Sequence, residues 1–156
     1  MNDTDRVRPL LGHIQDEHRV LHRTMKDIAA TFKRQDNCHS LAECGRVYGE
    51  RLTDLRQHLC KHFAEEESGG CLEEAVCGAP HLASQFSEIE QEHPQLLREL
   101  DQILRKLSAV PITEEVWSQC ASEFEIFKDQ ILAHERRENQ LLEKGFNVPL
   151  DLEGDE

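Results

Sequence analysis

Six side chains of the kinds that bind metal ions stand at positions where the surrounding pattern predicts an apolar core residue. They are His18, His62, Glu66, His93, His134 and Glu138. Burying an unpaired charge or an unpartnered imidazole costs on the order of several kcal/mol. One such residue is usually a core histidine satisfied by its neighbours. Six of them, spread over four segments, favour a shared metal centre over a buried structural network of polar side chains.

Two of these histidines are each followed four residues later by a glutamate. The pairs are His62 with Glu66 and His134 with Glu138. Residues four apart lie on the same face of a helix, so each pair presents a nitrogen and a carboxylate in one direction. Each pair is therefore predicted to supply two ligands from a single helix.

The chain repeats these features at a nearly constant interval. The second His–Glu pair follows the first by 72 residues, and Glu17–His18 recurs 75 residues later as Glu92–His93. The repeat predicts two similar helical hairpins related by a pseudo-two-fold axis. Each hairpin would contribute two histidines and one carboxylate.

Four segments must position these side chains. Each carries apolar residues at alternating spacings of three and four, which is typical of helices packed in a bundle. The predicted helices span residues 5–35, 41–67, 81–108 and 114–144. The chain is therefore predicted to be all-α.

Capping signals and the tail complete this prediction. Ser40 with Glu43 forms a capping-box pattern before the second helix, and Thr113 precedes the fourth. The predicted fold is an antiparallel up-down-up-down four-helix bundle with a single domain over 1–145. The remaining segment, 146–156, is predicted to be a loose acidic tail.

The spacing of the four histidines agrees with such a bundle. Position 40, in the first predicted turn, lies midway between His18 and His62, and the third predicted turn lies midway between His93 and His134. In an antiparallel hairpin, residues equidistant from the turn lie at the same height. The four histidines are therefore predicted to meet in one layer.

Composition limits the partners. The 156 residues include 18 basic and 31 acidic side chains, a net charge of −13. This charge repels nucleic acid and anionic membrane surfaces, so neither is an expected partner. No apolar run is long enough to span a bilayer and the N-terminus lacks a secretory pattern, which together predict a cytoplasmic protein.

The cysteines are six in number. No Cys-x-x-Cys pair occurs, and at least three lie within predicted helices, so free thiols are favoured over a disulfide framework. The six are Cys38, Cys44, Cys60, Cys71, Cys77 and Cys120.

The donor set indicates the metal. A structural zinc site normally closes with four ligands, whereas six ligands with pseudo-symmetry suit two ions that share carboxylates. Imidazole and carboxylate donors together favour iron or manganese over magnesium or calcium. Two ions of iron or manganese are the metals that the donor set favours.

The combined motifs resemble the hemerythrin-like, or HHE cation-binding, family over about residues 10–145. The motifs are Glu17-His18, His62-Phe-Ala-Glu65-Glu66, Glu92-His93 and His134-x-x-x-Glu138. The resemblance implies that the four histidines are terminal iron ligands and that Glu66 and Glu138 bridge two irons, with an oxo, hydroxo or water bridge. Hemerythrin-like oxygen carriers have five histidines, and this sequence matches four of them. That set is more similar to di-iron proteins that repair iron–sulfur centres, whose extra N-terminal domain has no counterpart here.

The resemblance also implies the function. A di-iron centre that binds O2 or NO for sensing, storage or delivery is the first expectation. A redox enzyme that reduces peroxide or NO, or repairs an iron centre, is the alternative, as is a non-catalytic iron sensor or scaffold. The sequence names no catalytic residue and no protein partner.

Other polar residues lie near the predicted ligands. His22 and His58 share helix faces with His18 and His62. Each is either an additional ligand, a hydrogen-bond partner of a ligand or a polar residue beside the apolar stripe of its helix. Pro94 is predicted to kink its helix or free a carbonyl beside His93. The neighbouring acids Glu17, Glu65 and Glu92 either orient imidazole rings or form solvated helix faces. His13, His39 and His81 are predicted to lie on the surface.

Overall fold

The computed structural model describes residues 3–35, 38–68 and 70–147, with side chains described from residue 8 onward. This part of the chain is helical and contains no strand. Its α-helices are α1 (Asp3–Arg34), α2 (Leu41–Glu67), α3 (Cys71–Gly78), α4 (Ala83–Leu107) and α5 (Glu114–Phe146), with a 3₁₀ turn at Pro80–Leu82. The all-α prediction is confirmed. No helix in the described ranges is long and apolar enough to cross a membrane.

The four predicted helices correspond to α1, α2, α4 and α5, and their ends agree with the capping signals. The amide of Glu43 donates to Ser40 Oγ at 3.1 Å, and its carboxylate accepts from the amide of His39 at 3.1 Å. The amide of Val116 donates to Thr113 Oγ1 at 3.2 Å. These side-chain oxygens satisfy amides that have no partner within the helix. Helix α4 continues through Pro94.

One helix was not predicted from the sequence. The predicted helices 41–67 and 81–108 leave the segment between them without a helix, but Cys71–Gly78 forms α3. Cys71, Leu72 and Ala75 recur at helical spacing and are buried. Glycines and a proline flank this segment and are typical of a loop between helices. They favoured a loop over the short amphipathic helix that is present. Residues 148–156 of the predicted loose tail lie outside the described residues.

The contacts divide the described residues into two compact units. The first unit draws on the described residues among 1–22, 61–93 and 132–156, and the second on those among 23–60 and 94–131. The first unit has an apolar core from α1, α3, α4 and α5 and the segments next to them. Its core residues are Leu11, Ile14, Cys71, Leu72, Ala75, Ala79, Leu82, Ile89, Leu141 and Leu142.

The second unit has an aromatic core. The Phe32 ring lies 4.6 Å from that of Trp117, 4.9 Å from that of Tyr48 and 6.0 Å from that of Phe124, measured between centroids. All four side chains are almost fully buried. Burial of such large apolar rings stabilises this unit, and Tyr48 and Trp117 serve packing.

The second unit also contains a disulfide. Cys38 and Cys44 are bonded to each other, with Cα atoms 5.2 Å apart, which corrects the prediction that all six cysteines are free thiols. Cys38 precedes α2 and Cys44 lies in its first turn, and a sequence does not show that these sulfurs meet. Cys60, Cys71, Cys77 and Cys120 are free thiols, as predicted.

A glycine permits close packing in the first unit. A Cβ atom at Gly145 would lie 2.5 Å from Ala75 Cβ and 3.0 Å from the Ala75 carbonyl oxygen. We expect Gly145→Ala to lower the free energy of unfolding by about 1–3 kcal/mol, the usual cost of overpacking. Urea denaturation followed by circular dichroism measures this change.

The matched control is Gly12→Ala in α1 of the same unit. A Cβ at Gly12 would have no heavy atom of the described chain within 4 Å. Alanine there removes the entropic cost of a helical glycine and is expected to add up to about 1 kcal/mol. An equal gain in both variants would show that α3 and α5 do not pack as described.

Candidate metal centre

All six predicted ligands are buried in the first unit. Helix α1 supplies one histidine, α2 a histidine and a glutamate, α4 one histidine, and α5 a histidine and a glutamate. Their exposed fractions run from 0 % at Glu138 to 6 % at His18. The apolar stripes of these helices place them there, because each residue occupies a stripe position that would otherwise hold a core side chain.

The six side chains form two overlapping groups. One contains His18 and His62, the other contains His93 and His134, and both contain Glu66 and Glu138. Within each group, one ligand atom from every residue lies within 4.8 Å of the others. The sequence prediction that these residues lie together therefore agrees with the structure. Each group has the nitrogen and oxygen donors that suit one metal ion.

The imidazoles all turn the same ring nitrogen toward the carboxylates. Nε2 of His18 lies 3.8 Å from Glu66 Oε1 and 3.9 Å from Glu138 Oε1. Nε2 of His62 forms a close ion pair with Glu66 Oε1.

The same orientation holds in the second group. Nε2 of His134 lies 2.9 Å from Glu138 Oε1, and Nε2 of His93 lies 3.4 Å from Glu66 Oε2. The Nε2 atoms of His93 and His134 are themselves only 3.1 Å apart. Nitrogens and oxygens thus converge from four helices.

Many of these inward-facing atoms lack hydrogen bonds of normal geometry. Within the described residues, both carboxylate oxygens of Glu66 and Glu138 and Nε2 of His18 and His62 are buried without a hydrogen-bond partner. Each such atom costs about 1–3 kcal/mol, and more when it is charged. Metal ions bound among them would satisfy these atoms together, so the donor set fits a metal centre.

Three of the outward-facing Nδ1 atoms contact carboxylates. Nδ1 of His62 lies 2.6 Å from Glu17 Oε2, and that of His134 lies 3.0 Å from Glu92 Oε2. Because a carboxylate only accepts, each Nδ1 carries the proton and leaves Nε2 free to bind a metal. These contacts indicate that Glu17 and Glu92 orient imidazole rings and do not merely form solvated helix faces. Arg137 in turn donates to both oxygens of Glu92.

The third contact was missed in the sequence. Nδ1 of His93 lies 2.7 Å from Glu67 Oε1, and the Phe63 ring stacks on the His93 ring at 4.0 Å between centroids. Glu65, the acid proposed from the sequence, instead lies 3.9 Å from exposed His13. The position of Glu67 directly after a predicted ligand is the only sequence signal for its role.

Electrostatics differ among the histidines. Burial acts to lower the pKa of His62, but the Glu66 and Glu17 carboxylates outweigh it and raise this pKa to about 9. Burial lowers the pKa of His134 to about 4, and its hydrogen bond to Glu92 offsets only part of that effect. In the metal-free protein His62 is therefore protonated at neutral pH, and a metal ion must displace that proton.

The two glutamates also differ. Burial and the charge of Glu66 raise the pKa of Glu138 well above its usual value. Burial acts to raise the pKa of Glu66 too, but interactions with Glu138 and the surrounding histidines hold it well below. Without metal, Glu66 therefore ionises more readily than Glu138. Dipositive ions would stabilise the ionised form of both.

A further buried acid lies next to a ligand in sequence. Glu135 is buried, and burial raises its pKa to about 8. It belongs to neither metal group in the described part of the chain. The sequence offered no sign of it, because the residue after His134 has no chemical marker that distinguishes it from a surface glutamate.

The remaining histidines lie outside both groups. Within the described ranges neither His22 nor His58 belongs to a group of metal-ligating side chains, and His58 falls in the second unit. His13, His39 and His81 are exposed, as predicted. His13 is 3.3 Å from Glu17, the acid that also contacts His62.

Comparisons with protein-family models, curated proteins and solved structures returned no match to this chain. The case for its function therefore depends on the arrangement of its own residues.

Proposed function

We propose that this protein binds two iron ions through His18, His62, Glu66, His93, His134 and Glu138. The observation that carries the proposal is that both groups of ligating atoms include the same two glutamates. Two ions that share two carboxylates need fewer negative charges than two separate sites. The hemerythrin-like family, with an antiparallel up-down-up-down bundle, is part of this proposal.

Iron is proposed because of the donors. Each position offers two imidazoles and two carboxylates, a mixture that suits iron better than magnesium or calcium and leaves ligand positions open on a six-coordinate ion. A zinc site of the structural kind would use four ligands and close. The net charge of −13 attracts cations to the protein.

The function that follows is reversible binding of a small diatomic molecule, O2 or NO, in the cytoplasm, for sensing, storage or delivery. Iron bound at this centre would supply an open coordination position for such a ligand. The chain holds three of the four imidazoles, those of His62, His93 and His134, through Glu17, Glu67 and Glu92, and buried apolar side chains such as Phe63 limit water around them. A preorganised centre surrounded by buried apolar side chains favours binding of an uncharged small ligand.

We expect the protein purified from iron-supplied cells to contain two iron ions per chain. Each ion would use two of the four buried imidazoles, and both ions would share Glu66 and Glu138. Metal analysis gives the number, and near-ultraviolet charge-transfer bands that change on addition of O2 or NO report the open position.

Zinc content separates this proposal from a metal-stabilised scaffold. One zinc ion per chain that excludes iron under all growth conditions would refute the di-iron centre. Two irons whose spectra do not respond to O2, NO or peroxide would leave the centre in place but refute diatomic binding. Catalytic loss of added peroxide or NO would instead identify an enzyme.

A further inference from the structure

The four ligating histidines differ in what holds their outer ring nitrogen. Nδ1 of His62, His93 and His134 each lies within 3.0 Å of a carboxylate oxygen. Nδ1 of His18 is buried and has no hydrogen-bond partner among the described residues. One metal position therefore has two carboxylate-supported imidazoles, and the other has one.

We propose that the two metal positions are unequal, that the His93–His134 position fills first, and that Asn139 sets the difference. This inference rests on the proposed two-metal centre. It concerns the affinity of each position rather than the ligand that the centre binds.

The internal repeat identifies Asn139. In α2 the ligand His62 is followed five residues later by Glu67, whose carboxylate accepts from His93 Nδ1. In α5 the ligand His134 is followed five residues later by Asn139. Because His18 is the repeat equivalent of His93, the repeat assigns to Asn139 the position from which a carboxylate would support His18.

Both residues of that predicted pair have a buried polar atom without a hydrogen-bond partner in the described chain. Asn139 Oδ1 is buried and, like His18 Nδ1, forms no hydrogen bond within the described chain. A buried acceptor and a buried donor are thus both unsatisfied in the half of the site where the repeat predicts a pair. A buried unpaired polar atom in a folded protein requires an explanation, and here the missing carboxylate supplies it.

The chemical consequence follows from how a carboxylate acts on a ligating imidazole. It fixes the proton on Nδ1, orients the ring and makes Nε2 a better donor, and loss of such a partner typically costs about 10–100-fold in metal affinity. An amide has no negative charge to contribute. The His18–His62 position should therefore bind its ion more weakly and exchange it faster.

Stepwise titration of metal-free protein with Co²⁺, followed by its visible absorption and by competition with a chelator, tests this proposal. We expect two binding steps that differ by about 10–100-fold in dissociation constant. His18→Ala should lose the weak step and keep one cobalt. His93→Ala should lose the tight step.

The exchange of the two repeat-equivalent residues provides the sharper test. Asn139→Glu should bring the weak constant toward the tight one, and Glu67→Asn should move the tight constant toward the weak one. Gln140→Glu adds the same charge one residue further on, at an exposed position, and should leave the ratio unchanged. Helical content and thermal unfolding of each metal-free variant show that it is folded.

The outcomes separate this inference from the proposed function. Two equal steps in the wild-type protein, or a ratio that neither exchange alters, would overturn the inference and leave the two-metal centre standing. Binding of no cobalt, or of one ion only, by the wild-type protein would overturn the centre itself.

Discussion

Replacement of His62 or His134 with alanine is expected to remove at least one of the two iron ions from the protein. Each residue supplies an Nε2 atom to one of the two metal groups and is almost fully buried. Alanine leaves a cavity and a metal position with one nitrogen donor instead of two. Because both positions share Glu66 and Glu138, loss of one ion also leaves the other with unbalanced carboxylates. Iron per chain, measured after purification of each variant, gives the result.

The controls are exposed histidines outside the two groups. His81→Ala changes a surface residue in the 3₁₀ turn and should keep the wild-type iron content. His13→Ala should keep it as well, although His13 lies 3.3 Å from Glu17 and tests whether that contact affects the centre. Equal iron retention in all four variants would mean that His62 and His134 are not ligands.

Much of the site was predictable because buried polar residues interrupt a regular apolar pattern. Helix α2 spans Leu41–Glu67, the range that the spacing of its apolar residues and its capping box predicted. His62 and Glu66 continue the stripe of that helix, so its rotation determines that they face inward. His134 and Glu138 continue the stripe of α5 in the same way, so they also face inward.

The contacts one step further from the metal positions were less predictable. Glu67 reaches His93 across two helices, which depends on their relative rotation rather than on spacing within either. Among the acids next to ligands, Glu17 and Glu92 accept from imidazoles, whereas Glu65 contacts exposed His13. Local sequence does not distinguish these cases.

The other departures have equally specific causes. The Cys38–Cys44 bond requires that two sulfurs meet where α2 begins, and a separation of six residues does not ensure this. Helix α3 was not predicted because its eight residues are too few for the helical spacing of apolar residues to be recognised. Its burial depends on contacts with other parts of the first unit.

Replacement of Glu66 or Glu138 with glutamine is expected to leave the loaded protein with one metal ion, or with two that are no longer magnetically coupled. Each carboxylate belongs to both metal groups, so its two oxygens can serve two ions. Glutamine keeps the size and one acceptor oxygen but lacks the negative charge that offsets dipositive metals. Iron content and paramagnetic resonance of both variants beside the wild type measure the effect.

The metal-free proteins should respond differently from the loaded ones. The pKa of Glu138 is raised by burial and by Glu66, so ionisation of this group opposes folding above pH 4.5, its ordinary pKa. Glu138→Gln removes that cost and should keep or raise the melting temperature at neutral pH. The pKa of Glu66 is lowered, so its charge stabilises the fold at neutral pH, and that stabilisation declines as the pH falls through the depressed pKa. Glu66→Gln should therefore lower the melting temperature at neutral pH, because protonated His62 loses its closest anion.

This contrast makes the test of the bridges specific. If instability alone caused the loss of iron, the variant that loses iron would also have a lower melting temperature than the wild type. Glu138→Gln should instead lose iron or magnetic coupling without losing stability. If both variants retain two coupled irons with unchanged spectra, Glu66 and Glu138 do not bridge metal ions. The shared-carboxylate arrangement on which the di-iron proposal depends would then be wrong.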